Sequence, residues 1–131
     1  GLGGSDILTA VDTAASNLQA QGSADGVAPK YLVVLSDGLQ LSSDISVESF
    51  TAEAIPAQPL IDHAKRLRLT PSLTGAQVAF AGVKSGQTAH GQQLPDWFET
   101  RVGEFWQGLV VAGGGRMCAY EPDLQSLPSS C

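Results

Sequence analysis

Lys30-Tyr31-Leu32-Val33-Val34-Leu35-Ser36-Asp37-Gly38, KYLVVLSDG, holds five apolar residues in a row, Tyr31 to Leu35, with no polar alternation. An uninterrupted β-branched and leucine run reads as a strand buried on both faces. That is the signature of a central strand in a parallel sheet covered by helices on both sides. The run stops at Ser36-Asp37-Gly38. Asp37 therefore falls at the carboxyl end of the strand, the edge of an open α/β sheet where ligands bind. This makes Asp37 a candidate ligand for a divalent metal. The alternative is that Asp-Gly marks a turn and nothing more.

Working outward, Ile7, Val11, Ala14 and Leu18 recur at helical spacing, with Leu8 and Ala15 beside them. They predict a helix over about residues 6–20. Ser5 suits its N-cap, Asp6 suits the positive end of its dipole, and Gly22 suits its stop. Ser23–Pro29 reads as a linker. Leu39–Ile55 reads as a long irregular segment over the carboxyl edge of the sheet, and loops of this length tend to be functional or mobile. Its charged part, Asp44–Glu53, is either a recognition surface or simply solvated. A second helix is expected over Pro59–Leu67, carried by Leu60, Ile61, Ala64 and Leu67, with Asp62 in register with Lys65 or Arg66. A buried strand is expected over Ala76–Val83. A third helix runs from Leu94-Pro95-Asp96 to Gly113, with Phe98, Val102, Phe105 and Leu109 as its stripe and Trp106 and Val110 alongside. A third strand covers Arg116–Tyr120. In the third helix Trp106 is expected in the core and Trp97 partly exposed, with Glu99 and Glu104 as solvated surface. Strands alternating with helices at this separation predict a doubly wound, mostly parallel α/β sheet over residues 1–120, followed by a tail over residues 121–131.

The bulk properties exclude several classes. The 131 residues suffice for one domain and one core. The net charge of −6 leaves no basic patch for nucleic acid. No apolar run approaches the ~18 residues of a membrane span. The chain opens at Gly1-Leu2-Gly3-Gly4 without Met, as expected of a processed protein or a piece of a longer one. Cys118 and Cys131 are the two cysteines; they form one disulfide, or Cys118 is a free buried thiol. Without a Cys-x-x-Cys pair or a Cys/His cluster, the sequence argues against structural zinc. The Ala and Gly content and the two cysteines lean toward a secreted or cell-surface bacterial protein, with a cytoplasmic location open.

The start of a helix in a right-handed βαβ unit lies near the carboxyl ends of the strands. Ser5 and Asp6 are therefore expected at the same edge as Asp37, with Ser36 and Gly38 as accessory positions. Oxygen ligands suit Mg²⁺, Mn²⁺ or Ca²⁺. A hard ion takes about six ligands, and two or three are offered here.

A helix entered through Gly-Gly-Ser-Asp, followed by an apolar strand ending in Leu-Ser-Asp-Gly, resembles the von Willebrand factor A domain. In that family a Thr at the start of the third helix and an Asp after the fourth strand belong to a metal-ion-dependent adhesion site. The rest of the site is a D-x-S-x-S motif after the first strand. Ser5 falls where the family has Thr, and Asp37 falls on the family Asp. Phe80-Ala81-Gly82-Val83 resembles the fifth strand. The resemblance spans Gly3 to Tyr120 and covers the second half of such a domain. No D-x-S-x-S occurs; Asp44-Ile45-Ser46-Val47-Glu48 comes nearest and follows the wrong strand. The first three strands have no counterpart. The resemblance thus implies a protein-binding, adhesion-type module. It also implies that Tyr31–Leu35 lies at an edge, completed by a missing N-terminal segment or a second chain. The alternative of another class is a structural or assembly domain that pairs through its sheet edge and binds no ion.

Enzyme readings fare worse. A haloacid-dehalogenase-like phosphatase needs an acid two residues before Asp37, where Leu35 stands. Ser36 and Ser42 lack the G-x-S-x-G elbow of a hydrolase. His63 reads as helix surface, and His90 has no ligand partners near it in the sequence.

Overall fold

The computed structural model describes residues 4–22, 30–83, 91–123 and 125. In chain order these form α1 (Ile7–Gly22), β1 (Lys30–Leu35), a 3-10 turn (Val47–Ser49), α2 (Gln58–Arg66), β2 (Ala76–Ala81), α3 (Asp96–Ala112) and β3 (Arg116–Glu121). Each expected helix and strand is present, within a few residues of its expected ends. The expected linker Ser23–Pro29, His90, Cys131 and most of the tail lie outside the described residues. Glu121, expected in the tail, is the last residue of β3.

The three strands form one parallel sheet in the order β1-β2-β3. Both crossovers step in the same direction, and right-handed connections then place α2 and α3 on the same face. The core agrees. Buried residues of α1, α2 and α3 form one cluster with Ala76, Val78 and Phe80 of β2. Leu32 and Val34 of β1, and Met117 and Tyr120 of β3, pack against that cluster. Register places these side chains in one row, since Leu32 pairs with Val78 and Val34 with Phe80. A bulge between Val78 and Ala79 shifts β3 so that Phe80 faces Tyr120. The chain is therefore an α/β protein with a parallel sheet. No helix that covers the opposite face, that of Val33, Ala79 and Ala119, is found among the described residues.

The centre of the sheet is β2, not β1. Val78, Ala79 and Phe80 are fully buried, whereas Val33 and Leu35 of β1 are 42% and 69% exposed. An apolar run without alternation says that both faces are hydrophobic; it does not say how many strands flank it. The expectation of a central strand is thus corrected, and the edge position implied by the resemblance is the one observed.

The segment Leu39–Ile55 is also less open than its composition implies. Leu39, Ile45, Val47 and Phe50 are buried in the core, and Phe50 meets Phe98 and Phe105 edge to face. Asp44, Glu48 and Glu53 stay exposed between these anchors. Apolar residues spaced irregularly, rather than with a helical or strand period, pin an irregular backbone to the core.

In α2, Leu60, Ile61 and Ala64 are buried as expected, while Leu67 is exposed. Asp62 accepts a hydrogen bond from Gln58, not from the basic residues after it. In α3, Trp106 lies in the core and Trp97 is half-buried against it. Glu104 is exposed and paired with Arg101 at 2.8 Å. Glu99 corrects the expectation of a solvated surface: only 6% of it is exposed.

Candidate functional site at the carboxyl edge

β1 continues the ladder one residue past its end, where the Ser36 amide donates to the Ala81 carbonyl at 2.8 Å. The chain then turns. Ser36 Oγ accepts from the Gly38 amide at 3.0 Å, and Asp37 Oδ1 accepts from the Leu39 amide at 2.9 Å. A carboxylate bonded to the amide two residues ahead is an Asx turn. Gly38 has φ +80°, and a side chain there would press on the Tyr120 hydroxyl, Trp106 Nε1 and Val102. Both conditions favour glycine. From below, the Trp106 indole N–H donates to the Gly38 carbonyl at 2.8 Å, inside the core.

The helix start meets this turn through backbone bonds. The Ser5 amide donates to the Leu39 carbonyl at 3.2 Å, and the Ser5 carbonyl accepts from the Leu41 amide at 2.9 Å. Ser5 is thereby an isolated parallel bridge partner of Gln40. It is not the N-cap. Asp6 holds that role: its Oδ1 accepts from the Thr9 amide at 3.3 Å and its Oδ2 from the Thr9 hydroxyl at 2.6 Å. These bonds, with a further one from Gln40, hold the Asp6 carboxyl below its ordinary pKa. Hydrogen bonds to the ionised form outweigh the opposing effect of its slight burial.

Gln40 is a residue that sequence reasoning missed. It is 0% exposed. Its Oε1 accepts from the Leu8 amide at 2.6 Å and its Nε2 donates to Asp6 Oδ1 at 2.9 Å. One buried amide thus ties the loop after β1 to the first turn of α1. Flanked by Leu39 and Leu41, it was the only hint of a polar residue facing inward.

Two clefts flank the turn. A groove of about 340 Å³ runs between α1 and β1, lined by Ala10, Val11 and Ala14 opposite Leu32 and Val34, with Ser5, Asp6 and Ser36 also in its wall. A shallower cleft of about 400 Å³ at the sheet edge is lined by Ser36, Asp37, Gly82 and Asp123. The structure therefore brings Ser5, Asp6 and Ser36 to one cleft and Asp37 to the next, with Ser36 in the wall of both.

As a metal site, this set is short of donors. Both Asp6 oxygens and Asp37 Oδ1 already accept hydrogen bonds. Among the described residues no group of three or more His, Cys, Asp or Glu side chains is placed to hold an ion. The residues present do not by themselves make the site of about six oxygens that a hard ion takes.

Beneath the turn lies a polar cluster that sequence reasoning also missed. The Tyr120 hydroxyl is buried and has no hydrogen-bond partner. Burial first, then the negative charges of Glu99 and Asp37, raise its pKa above that of an ordinary phenol. Glu99 was legible in part: it shares a helical stripe with Val102, Trp106 and Val110. Cys118, the inner half of the expected cysteine pair, is disulfide-bonded.

No protein-family model matches the chain, and no curated protein or solved structure matches it either. The fold is that of an α/β protein with a parallel sheet, in which β1 pairs with β2 alone among the described strands. No helix among the described residues is long and apolar enough to cross a membrane.

Proposed function

We propose that this chain is a binding module of von Willebrand factor A type, which takes up an extended apolar strand along β1 and works by protein–protein contact, not catalysis. The observation that carries the reading is the β1 edge. β1 pairs with β2 alone among the described strands, and it carries Val33 and Leu35 exposed beside the groove between α1 and β1. A strand at the edge of a sheet recruits further strands. The occupant is one extended polypeptide segment, apolar at successive positions because both faces of β1 are apolar. It runs parallel to β1, as the existing strands run to each other. It belongs to a second chain or to a preceding segment of the same polypeptide. In the completed domain, helices on the second face would make the sheet doubly wound.

Such a segment, ending in Asp-x-Ser-x-Ser level with Ser36, would supply the donors that the described residues do not assemble. Ser5 and Asp37 would then be its ligands to Mg²⁺, Mn²⁺ or Ca²⁺, with Asp6, Ser36 and Gly38 beside them. A bound ion would offer an open coordination position to a partner's carboxylate. The bonded Cys118 fits an oxidising compartment, so secretion or surface display belongs to the proposal.

A second reading, an assembly module that binds no ion, draws support from the Asx turn, which gives Asp37 a structural role of its own. Native mass spectrometry with a synthetic apolar strand ending in Asp-Gly-Ser-Gly-Ser tests both. The proposal expects a one-to-one complex, tightened by Mg²⁺ and weakened by EDTA or by Asp37→Asn. A complex indifferent to EDTA favours the ion-free module. Absence of any complex refutes strand uptake.

A further inference from the structure

The charged side chains of this molecule are sorted by end. Helices that link parallel strands run back against them, so α2 and α3 finish where β2 and β3 begin. Hydrogen bonds fasten that end together. Lys30 Nζ donates to Gln19 Oε1 at 2.8 Å, Gln19 Nε2 to the Thr74 carbonyl at 3.1 Å, and the Leu73 amide to the Gly113 carbonyl at 2.8 Å. Five of the seven Lys and Arg residues stand at this amino end: Lys30, Lys65, Arg66, Arg68 and Arg116. The stretches that meet there, residues 13–22, 65–75 and 105–118, contain no Asp or Glu. Acids gather at the carboxyl end, with Asp6 and Asp96 at helix starts and Asp37, Asp44 and Glu48 after β1. The net charge of −6 conceals this small basic patch, because it sums over both ends.

Lys65, Arg66, Arg68 and Arg116 are exposed, and none is paired with a carboxylate among the described residues. Two exposed apolar side chains share the end: Leu67, the cap of α2, at 42%, and Val111, in the last turn of α3, at 57%. Lys65 and Arg66 suit the dipole of the helix they close. Arg68 has no such reason. It holds φ +58° in the turn that ends α2, where the Leu69 amide donates to the Ala64 carbonyl at 2.9 Å. Glycine usually fills that left-handed position, and an arginine there bears backbone strain.

We propose that the amino end docks on an anionic lipid surface. Leu67 and Val111 enter the headgroup layer, and Lys65, Arg66, Arg68 and Arg116 meet the lipid phosphates. The patch is built of helix ends and turns, with cations and apolar tips intermingled, a composition that suits the boundary of a bilayer. The sorting of charge lets an acidic domain approach an anionic surface by one end only. It leaves the carboxyl edge, with Asp37, facing away from the lipid. This inference stands whether or not a strand is taken up at β1.

The test is co-sedimentation with vesicles of equal parts phosphatidylcholine and phosphatidylglycerol, beside vesicles of phosphatidylcholine alone. The protein should sediment with the mixed vesicles at low ionic strength, stay in solution with the neutral ones, and be released by added salt. Lys65→Glu combined with Arg66→Glu and Arg68→Glu should abolish sedimentation. Leu67→Ser with Val111→Ser should weaken it. Arg68→Gly relieves the backbone, so it keeps the fold, and it should weaken binding about fivefold, the share of one cation at an anionic surface. If the triple variant fails to fold, Arg68→Gly decides alone. Amide exchange on the vesicles should slow at residues 67–75 and 113–116. No sedimentation with the mixed vesicles overturns the proposal, as does a folded triple variant that sediments like wild type or protection confined to the carboxyl edge. Tighter binding to polyglutamate or duplex DNA than to the vesicles also overturns it, making the partner an acidic protein or a nucleic acid.

Discussion

β1 and β2 are neighbours of equal length and similar apolarity, yet they lead opposite lives. β2 runs Ala-Gln-Val-Ala-Phe-Ala and is buried almost throughout, with a strand on each side. β1 runs Lys-Tyr-Leu-Val-Val-Leu, the more hydrophobic sequence, and leaves Val33 and Leu35 in solvent. Hydrophobicity alone ranks them the wrong way round. Val78 and Phe80 of β2 pack under the helices, and on its other face Ala79 and Ala81 are small enough to be buried between the flanking strands. The larger side chains of β1 offer more apolar area than the described residues cover. The excess on β1 is what the proposed strand uptake rests on, whereas the same residue types in β2 are buried in the sheet.

Substitutions should separate the two regions. The largest effect is expected from Trp106→Ala in α3, which empties a core site over β2 and removes one of the two donors on the Gly38 carbonyl. Large aromatic truncations cost about 3–5 kcal/mol, readable as a lower urea midpoint. Next is Gln40→Leu, which strips the Leu8 amide and Asp6 of their partner. An unsatisfied buried group costs about 1–3 kcal/mol, and fraying of α1 should appear as faster amide exchange at its first turn. Asp6→Ala should cost about 1 kcal/mol at neutral pH, as for other N-caps. The Asp6 pKa is lowered on folding, so its contribution is present above the ordinary carboxylate pKa. It is lost as pH falls through the lowered one. Wild type and Asp6→Ala should therefore converge in stability in acid.

Tyr120 supplies the opposite sign. Its pKa is raised on folding from an unfolded reference of 10.0, so the protein keeps the phenol neutral where the unfolded chain ionises. Stability should be unaffected below that pH and fall as pH rises above it; Tyr120→Phe should flatten the decline. The smallest effect on stability is expected at the edge. Leu35→Lys should change it by no more than about 0.5 kcal/mol, as for other surface positions, while abolishing strand uptake. A large loss of stability in Leu35→Lys would mean that β1 is structural after all.

Much of the fold was legible because it rests on periodicity. The stripe Phe98, Val102, Phe105 and Leu109, and the apolar runs of β1 and β2, announce helix and strands whatever surrounds them. The edge position of β1 was not legible from its own residues, because a non-alternating run reports the polarity of its faces and nothing about its hydrogen-bonding sides. It came from the resemblance instead. The cap of α1 was ambiguous because Ser5 and Asp6 are both good caps. Thr9, three residues after Asp6, settles it, with Gln40 reaching in from a loop 34 residues away along the chain. The convergence of Trp106 and Tyr120 on Gly38 depends on packing between α3, β3 and the turn. No local pattern carries that.

The most direct test of the account is amide hydrogen exchange along β1, measured with and without the apolar strand peptide. In the free protein the Val33 and Leu35 amides, which alternate with the Ser36 amide bonded to Ala81, should exchange quickly. Added peptide should slow those amides, leave β2 unchanged and have no effect on Leu35→Lys. Uniform slow exchange along β1 without peptide, or protection that appears elsewhere in the fold, would contradict it.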